Sequence, residues 1–265
     1  MWRNQDIGHP DLSGEVRVAN DVFTVSGNGL GLKGLRDNAH FMYREIEGDF
    51  EFVAQLSSLE NATPRSYAGV MARETLSDRS RFVSVGTFDG RQAVFRQRSV
   101  PLGTAAGFTS PGEAPLWFKL ARVQDALAGF VSQDGQSWKL LDFTFVGSTN
   151  RIQVGPVIDS GARDFLTAAE FRSISVRPVS SPLLAANVRT PLLRIGLEAG
   201  VSKAQDKVQL LVAGPPGASY AVEASETLVD WQPIGVLANQ FGLASFSIPA
   251  EGLRDSRFFR LRSNP

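Results

Sequence analysis

The feature that most constrains this chain is a recurring two-residue alternation of apolar and polar side chains. It runs for five to eight residues at a time and stops at Gly, Pro, Asn, Asp or Ser. Phe50–Leu56, which reads Phe-Glu-Phe-Val-Ala-Gln-Leu, is one such run. Successive side chains of a strand point to opposite faces, so the pattern sets one face on a core and the other in water. Similar runs occur at Val16–Val18, Val22–Val25, Ala68–Arg73, Phe82–Phe88, Gln92–Arg98, Leu116–Arg122, Ala126–Ser132, Trp138–Leu141, Ile152–Ile158 and Phe171–Val176. No stretch sustains a helical period. Turn residues stand where hairpins need them: Ser26-Gly27-Asn28-Gly29 after Val25, Asp89-Gly90 between two runs, and Gln133-Asp134-Gly135-Gln136 ahead of Trp138. Strands at this spacing predict an all-β sandwich or jelly roll.

The pattern breaks once. Pro178 to Pro191 carries three prolines and little alternation, which predicts a linker at 178–191. Alternation then resumes at Leu192–Glu198, Lys207–Val212, Ser219–Ala224, Trp231–Leu237, Leu243–Ile248 and Arg257–Arg262. That is the strand content of a small immunoglobulin- or fibronectin-like sandwich. The expected organisation is a large sandwich over 1–177 and a small one over 192–265.

Composition removes several kinds of chemistry. With no cysteine among 265 residues, a disulfide scaffold, a Cys-ligated zinc site and a thiol nucleophile are excluded. The two histidines, His9 and His40, form no His-x-His or His-x-x-x-His pair and sit beside no Gly-x-Ser-x-Gly elbow. The 27 basic and 27 acidic side chains balance, which argues against a general nucleic-acid binder. No run reaches the roughly 18 apolar residues of a membrane span. The glycines of Ser26–Gly31 lack the helix that a dinucleotide site requires.

Several motifs in order carry a resemblance. They are Trp2…Asp6-Ile7-Gly8, Phe23-Thr24-Val25-Ser26-Gly27…Gly29, Asp37…Phe41, Gly48-Asp49-Phe50-Glu51, Ala68-Gly69-Val70-Met71-Ala72-Arg73, Trp117-Phe118-Lys119-Leu120-Ala121-Arg122 and Ser132-Gln133-Asp134-Gly135…Trp138. Residues 1–177 resemble a bacterial family of concanavalin A-like sandwich domains labelled "regulation of enolase-like". A similar layout occurs in domains appended to xylosidase-type glycoside hydrolases. The C-terminal part, with Tyr220…Trp231 and Arg257-Phe258-Phe259-Arg260, resembles small β modules at the ends of secreted bacterial proteins. These resemblances imply an extracellular or cell-surface protein near polysaccharide metabolism. They also imply a structural calcium, for which Asp6…Asp11, Arg36-Asp37-Asn38 and Asp159-Ser160 offer oxygen ligands; no other cofactor is expected. The family brings no agreed catalytic residues.

Two constellations offer chemistry. Glu47, Asp49 and Glu51 share a parity, and on one strand they would project together about 6.5–7 Å apart. The pentad is similar to the Glu-x-Asp-x-Glu strand of laminarinase-type glycoside hydrolases. By that resemblance Glu47 would be the nucleophile, Glu51 the acid/base and Asp49 the group balancing their charge. The competing expectation puts Glu47 in a turn and Glu51 on a solvated strand face. The second constellation is arginine. Residues 65–98 hold seven arginines (65, 73, 79, 81, 91, 96, 98) against Glu74, Asp78 and Asp89. Arg presents a planar fork suited to carboxylates, sulfates and paired hydroxyls. Parity puts Arg96 and Arg98 on one face, with Arg73 ending the neighbouring run. If these strands form the concave sheet, Arg73, Arg96 and Arg98 floor a groove, and Trp117 with Lys119 joins its wall. The expectation is a non-catalytic carbohydrate-binding module holding a polysaccharide on the concave sheet, where an anionic glycan would fit the arginines. The alternatives are a glycoside hydrolase using Glu47 and Glu51, and a structural or protein-contact module. Oligomeric state is not legible.

Overall fold

Every regular element among the described residues is a β-strand, as a two-residue period requires. The computed structural model describes residues 1–110, 116–147, 150–184, 191–198, 207–249 and 258–263. The chain divides into two compact units: Met1–Arg122 with Leu127–Pro178, and Val123–Ala126 with Val179–Pro265.

The strands of the first part are β1 (Arg3–Ile7), β2 (Glu15–Ala19), β3 (Val22–Gly29), β4 (Gly31–Lys33), β5 (Arg36–Glu47), β6 (Phe50–Glu60), β7 (Tyr67–Arg73) and β8 (Phe82–Phe88). They continue with β9 (Gln92–Arg98), β10 (Ala106–Ser110), β11 (Trp117–Val123), β12 (Ala126–Ser132), β13 (Lys139–Phe145), β14 (Arg151–Asp159) and β15 (Ala162–Arg177). One sheet has the order β1-β5-β14-β7-β8-β9-β10, with β4 also pairing β5; the other runs β13-β12-β11-β6-β15-β3-β2. Non-sequential neighbours in two antiparallel sheets are the signature of a jelly roll. Met42, Val70, Val85 and Phe95 of the first sheet meet Phe52, Ala54, Phe118 and Leu120 of the second in one core.

The eight-stranded sheet buries its other face as well. Ile7, Phe41, Tyr67, Met71, Phe82, Val94 and Val157 form a second apolar cluster there, under Leu32. The segment carrying Leu32, together with the β7–β8 and β9–β10 connections, covers this face. Gly34 bridges Ala105, and the Asp37 N–H donates to the Asp78 carbonyl at 2.8 Å.

One local expectation changes and another holds. Ser26–Gly29 is the end of β3 and not a turn. Asn28 is buried there, its amide group donating to the Ala162 and Phe165 carbonyls at 3.2 and 2.7 Å and its oxygen accepting from the Asp11 N–H at 3.1 Å. Asp89-Gly90 does turn the β8–β9 hairpin. Both residues have positive φ, 47° and 76°, and the Arg91 N–H closes on the Phe88 carbonyl at 3.0 Å, as a type I′ turn requires.

The second unit has β16 (Leu192–Glu198), β17 (Lys207–Ala213), β18 (Ala218–Ser225), β19 (Gln232–Asn239), β20 (Leu243–Pro249) and β21 (Phe258–Ser263). They form two three-stranded sheets, β16-β17-β20 and β19-β18-β21. Leu210 and Val212 of one pack on Tyr220, Val222 and Leu237 of the other. Within the expected linker, Leu183 and Leu184 are buried, and the Leu183 N–H donates to the Phe241 carbonyl at 2.7 Å. An apolar pair placed beside a sheet is drawn onto it whatever its flanking prolines. Residues 185–190 lie outside the described residues.

Candidate functional site

Strand parity brings Arg73, Arg96 and Arg98 to one face, as the sequence predicts. The register pairs Arg73 with Phe82, Phe82 with Arg98 and Ser84 with Arg96. Yet two of the three arginines do not floor a groove. Arg98 is buried, and its Nη1 and Nη2 fork onto Asp37 Oδ2 and Oδ1 at 2.7 and 2.8 Å. Its other donors reach the carbonyls of Gly103 (2.8 Å), Ser80 (3.1 Å) and Gly34 (3.2 Å). All five N–H groups therefore have partners. Arg73, also buried, bonds Asp37 Oδ2 at 3.3 Å and the carbonyls of Thr75 and Ser77. Burial pushes the Asp37 carboxyl up and both guanidinium groups pull it back. The Arg73 and Arg98 assignments are thus corrected. These side chains fasten the covering segments to the sheet and have no surface to offer a ligand.

Trp117 and Lys119 stand elsewhere. They belong to β11 of the seven-stranded sheet, on the side away from the core that holds Phe118 and Leu120. The whole core separates them from the arginines, so the five residues do not share a groove. Trp117 is half-buried, its ring packed on Gly135, where an added Cβ would lie 2.9 Å from it. Lys119 is buried, with Nζ 3.7 Å from Glu51 Oε2 and 4.9 and 4.4 Å from the ring centres of Phe130 and Trp138. Burial lowers its ammonium to about 8 against the opposing pull of Glu51.

The carboxylate pentad is corrected too. Glu47 closes β5 in one sheet, Gly48 and Asp49 turn the chain, and Glu51 lies on β6 in the other sheet. A residue i+4 shares a strand face only while the strand continues, and Gly48, with φ 71°, ends it. Glu47 is exposed and pairs with Arg151 at 2.7 Å. Glu51 is not solvated: it is buried between Lys119 and Arg177, the latter at 3.2 Å.

The arginine that remains at the surface is Arg96, and it marks a depression of about 170 Å³. Asp159, Phe88, Lys33, Arg65 and Gly31 share its walls. The Arg96 guanidinium lies 4.7 Å over the Phe88 ring and 5.7 Å over that of Tyr67. Its Nη1 donates to the Leu32 carbonyl at 2.5 Å. Tyr67 is locked below by a 2.6 Å hydrogen bond between its hydroxyl and Ser84 Oγ. Asp159 ends β14, a strand buried from Val154 onward. Its Oδ1 accepts the Gly161 N–H at 3.1 Å, while Oδ2 is buried without a partner. Burial pushes the carboxyl up to about 8, against the pull of Arg96, the Gly161 N–H and Lys33. Burial thus favours the neutral form of Asp159, which donates as well as accepts. Gly31 crosses above it with φ 100°, and a Cβ there would lie 3.3 Å from both carboxyl oxygens.

A second depression, of about 270 Å³, adjoins the first through Leu30, Gly31 and Lys33. His9, Arg36, Asn38 and Asp78 border it. Asn38 Oδ1 is another buried oxygen without a partner. Sequence reasoning named Asp159 and Asn38 only as calcium ligands and did not single out Phe88. An acid ending an otherwise apolar strand, Gly155-Pro156-Val157-Ile158-Asp159, is the signal that could have found the site. Among the described residues no three His, Asp or Glu side chains converge to hold a metal, and both Asp37 oxygens are occupied by guanidinium groups. No helix is long and apolar enough to cross a membrane among the described residues.

No protein-family model matches the sequence, and no curated protein does. Solved structures resemble about two thirds of the chain. A functionally unknown protein from Saccharomyces cerevisiae is 18% identical, over 68% of this chain and 97% of its own, at a TM-score of 0.52. A legume lectin-like domain from Entamoeba histolytica is 9% identical, over 68% of this chain and 90% of its own, at a TM-score of 0.47.

Proposed function

We propose that the first unit is a non-catalytic carbohydrate-binding module that holds a saccharide at Asp159 and across Gly31 into the adjoining depression. One observation carries this proposal: a fully buried carboxyl oxygen, Asp159 Oδ2, has no partner in the protein and sits in the wall of an open depression. Buried polar atoms are nearly always satisfied, so a ligand hydroxyl is a natural completion. A neutral carboxylic acid both donates and accepts, which suits a hydroxyl. The unpartnered Asn38 Oδ1 beside the second depression extends the same logic to a second sugar unit.

A hydrolytic role has less support. The carboxyl groups lining the two depressions are Asp159, Asp37 and Asp78. Asp37 is held by Arg73 and Arg98, and Asp78 pairs with Arg36 at 3.1 Å. None of the three stands as a free pair of carboxylates, as glycoside hydrolysis requires. The proposal includes membership of the enolase-regulation-like group that residues 1–177 resemble. It also includes an extracellular or cell-surface location in a bacterium, with the second unit as spacer or attachment domain.

The test is affinity electrophoresis of the whole chain against a panel of polysaccharides. Retardation by at least one of them is expected, reduced tenfold or more in Asp159→Ala while the melting temperature holds. Equal retardation of wild type and Asp159→Ala, or none on any polysaccharide, overturns the proposal.

A further inference from the structure

We infer that the saccharide is acidic, and that its carboxylate or sulfate is received by Arg96 together with Lys33 and Arg65. The inference rests on the glycan reading above and narrows it to a substrate class.

The aromatic surface comes first. A neutral sugar gains affinity by laying its apolar C–H face on an open ring. Phe88 is the aromatic side chain in the walls of this depression, and the Arg96 guanidinium already covers it at 4.7 Å. The stacking face is used by a cation, which converts an apolar platform into a charged one.

The second point is how Arg96 is held. Two rings flank its guanidinium and Nη1 is fixed to the Leu32 carbonyl. Nε and Nη2 make no hydrogen bond within the described structure. A planar fork fixed at one corner and free along its other edge is set to receive two oxygens of one anion. The fixing removes most of the ordering cost that a free arginine would meet on binding.

The third is the surrounding charge. Lys33 and Arg65 are exposed, and among the described residues neither makes an ion pair. Arg36 and Arg151, on the surface of the same unit, do pair with acids, Asp78 and Glu47. The acid that shares the depression is Asp159, whose carboxyl burial pushes up. Three cations therefore face one acid in a small space, a local excess of positive charge in a chain whose total charge is balanced. At about 170 Å³ the space is below the 300–1,000 Å³ that takes a drug-sized molecule. It suits one charged ring edge, with the remainder of the chain passing over Gly31.

Titration calorimetry on the whole chain tests this with three probes: trigalacturonate, a sulfated galactan oligosaccharide and neutral laminaritriose. One acidic probe is expected to bind at least tenfold more tightly than laminaritriose, and which of the two does so identifies the oxyanion. Its affinity should fall between 50 and 300 mM NaCl. It should also fall at least tenfold in the Lys33→Ala/Arg65→Ala double variant, whose exposed side chains make no hydrogen bond or ion pair among the described residues, and in Arg96→Lys, which keeps charge but loses the fork. Laminaritriose binding as tightly as either acidic probe, unaffected by these variants, would overturn the inference and leave the glycan reading standing. Absence of binding by all three probes and by every polysaccharide of the panel overturns both.

Discussion

Arg98 and Asp37 meet fork to fork, Nη1 to Oδ2 at 2.7 Å and Nη2 to Oδ1 at 2.8 Å, with both side chains fully out of water. They join the end of β9 to the start of β5, and through the remaining donors of Arg98 they hold three covering segments against the eight-stranded sheet. Removing one partner of such a pair leaves an uncompensated buried charge, at a cost of about 3–5 kcal/mol. Asp37→Ala is expected to lose that much, and more than one partner's share, because Arg73 is stranded with Arg98. Urea denaturation measures it. Arg98→Lys should recover little, since an ammonium cannot make the bidentate contact. A loss below about 1 kcal/mol in Asp37→Ala would refute the fastening role.

A second prediction concerns two glycines that face each other in register, Gly69 on β7 and Gly86 on β8. A Cβ at Gly86 would lie 2.4 Å from the Ala68 carbonyl oxygen and 2.7 Å from Tyr67 Cζ. The Tyr67 ring occupies the space that two absent side chains leave, and Arg96 rests on it. Gly86→Ala should therefore cost about 1–3 kcal/mol by overpacking and displace Tyr67 from Ser84. The ring displacement is readable as loss of the slow-exchanging Tyr67 hydroxyl proton by NMR.

How much of this was legible followed the turn residues more than the faces. β8, β9 and the strands of the second unit were located within a residue or two, although β8 is buried on both faces. β6 runs four residues beyond the expected Leu56, to Glu60. β5, Arg36–Glu47, was not expected as a strand: Ala39 to Tyr43 are buried on both faces, and a doubly covered strand shows no period. The arginines were assigned to the correct face by parity. Parity does not report what lies above a face, and a covering segment with no regular period, such as 74–81, is invisible to it. Trp117 and Arg96 were expected together because each points away from an apolar neighbour. Which sheet each belongs to depends on the order of non-sequential strands, and no local pattern encodes that order.

The two glutamates of the pentad should behave oppositely. Glu47 is exposed, and a solvated pair with Arg151 is worth at most about 1 kcal/mol, so Glu47→Gln is expected to change stability by less than about 0.5 kcal/mol. Glu51 is buried beside Lys119 and Arg177, and Glu51→Ala strands the buried Lys119 ammonium. A loss of about 3 kcal/mol or more is expected. Because Glu51 holds the Lys119 ammonium up against burial, its removal should also lower the midpoint of Lys119 titration below about 8, followed by NMR of the side-chain carbons. Equal, small effects of both substitutions would show that Glu51 faces water.

The last prediction follows from the proton on Asp159. Its carboxyl is raised from an ordinary value of 3.8 to about 8, first by burial, while Arg96, the Gly161 N–H and Lys33 oppose the rise. The buried Tyr67 hydroxyl and the exposed Arg65 also border it. Below about pH 4 both folded and unfolded chains carry this proton, so the group is neutral in its effect on folding. Between about 4 and 8 only the folded chain retains it. The unfolded state then binds fewer protons, and stability falls as pH rises, at up to about 1.4 kcal/mol per unit. Asp159→Asn has no proton to release, so the free-energy difference between variant and wild type should grow in the variant's favour from pH 5 to pH 8 and level off above. Urea midpoints at pH 5, 6, 7, 8 and 9 give that difference directly, with every other titrating group common to both proteins. A difference that stays constant over this range would mean that Asp159 is ionised in the folded protein. The depression would then hold an anion of its own, and the case for an acidic ligand would weaken with it.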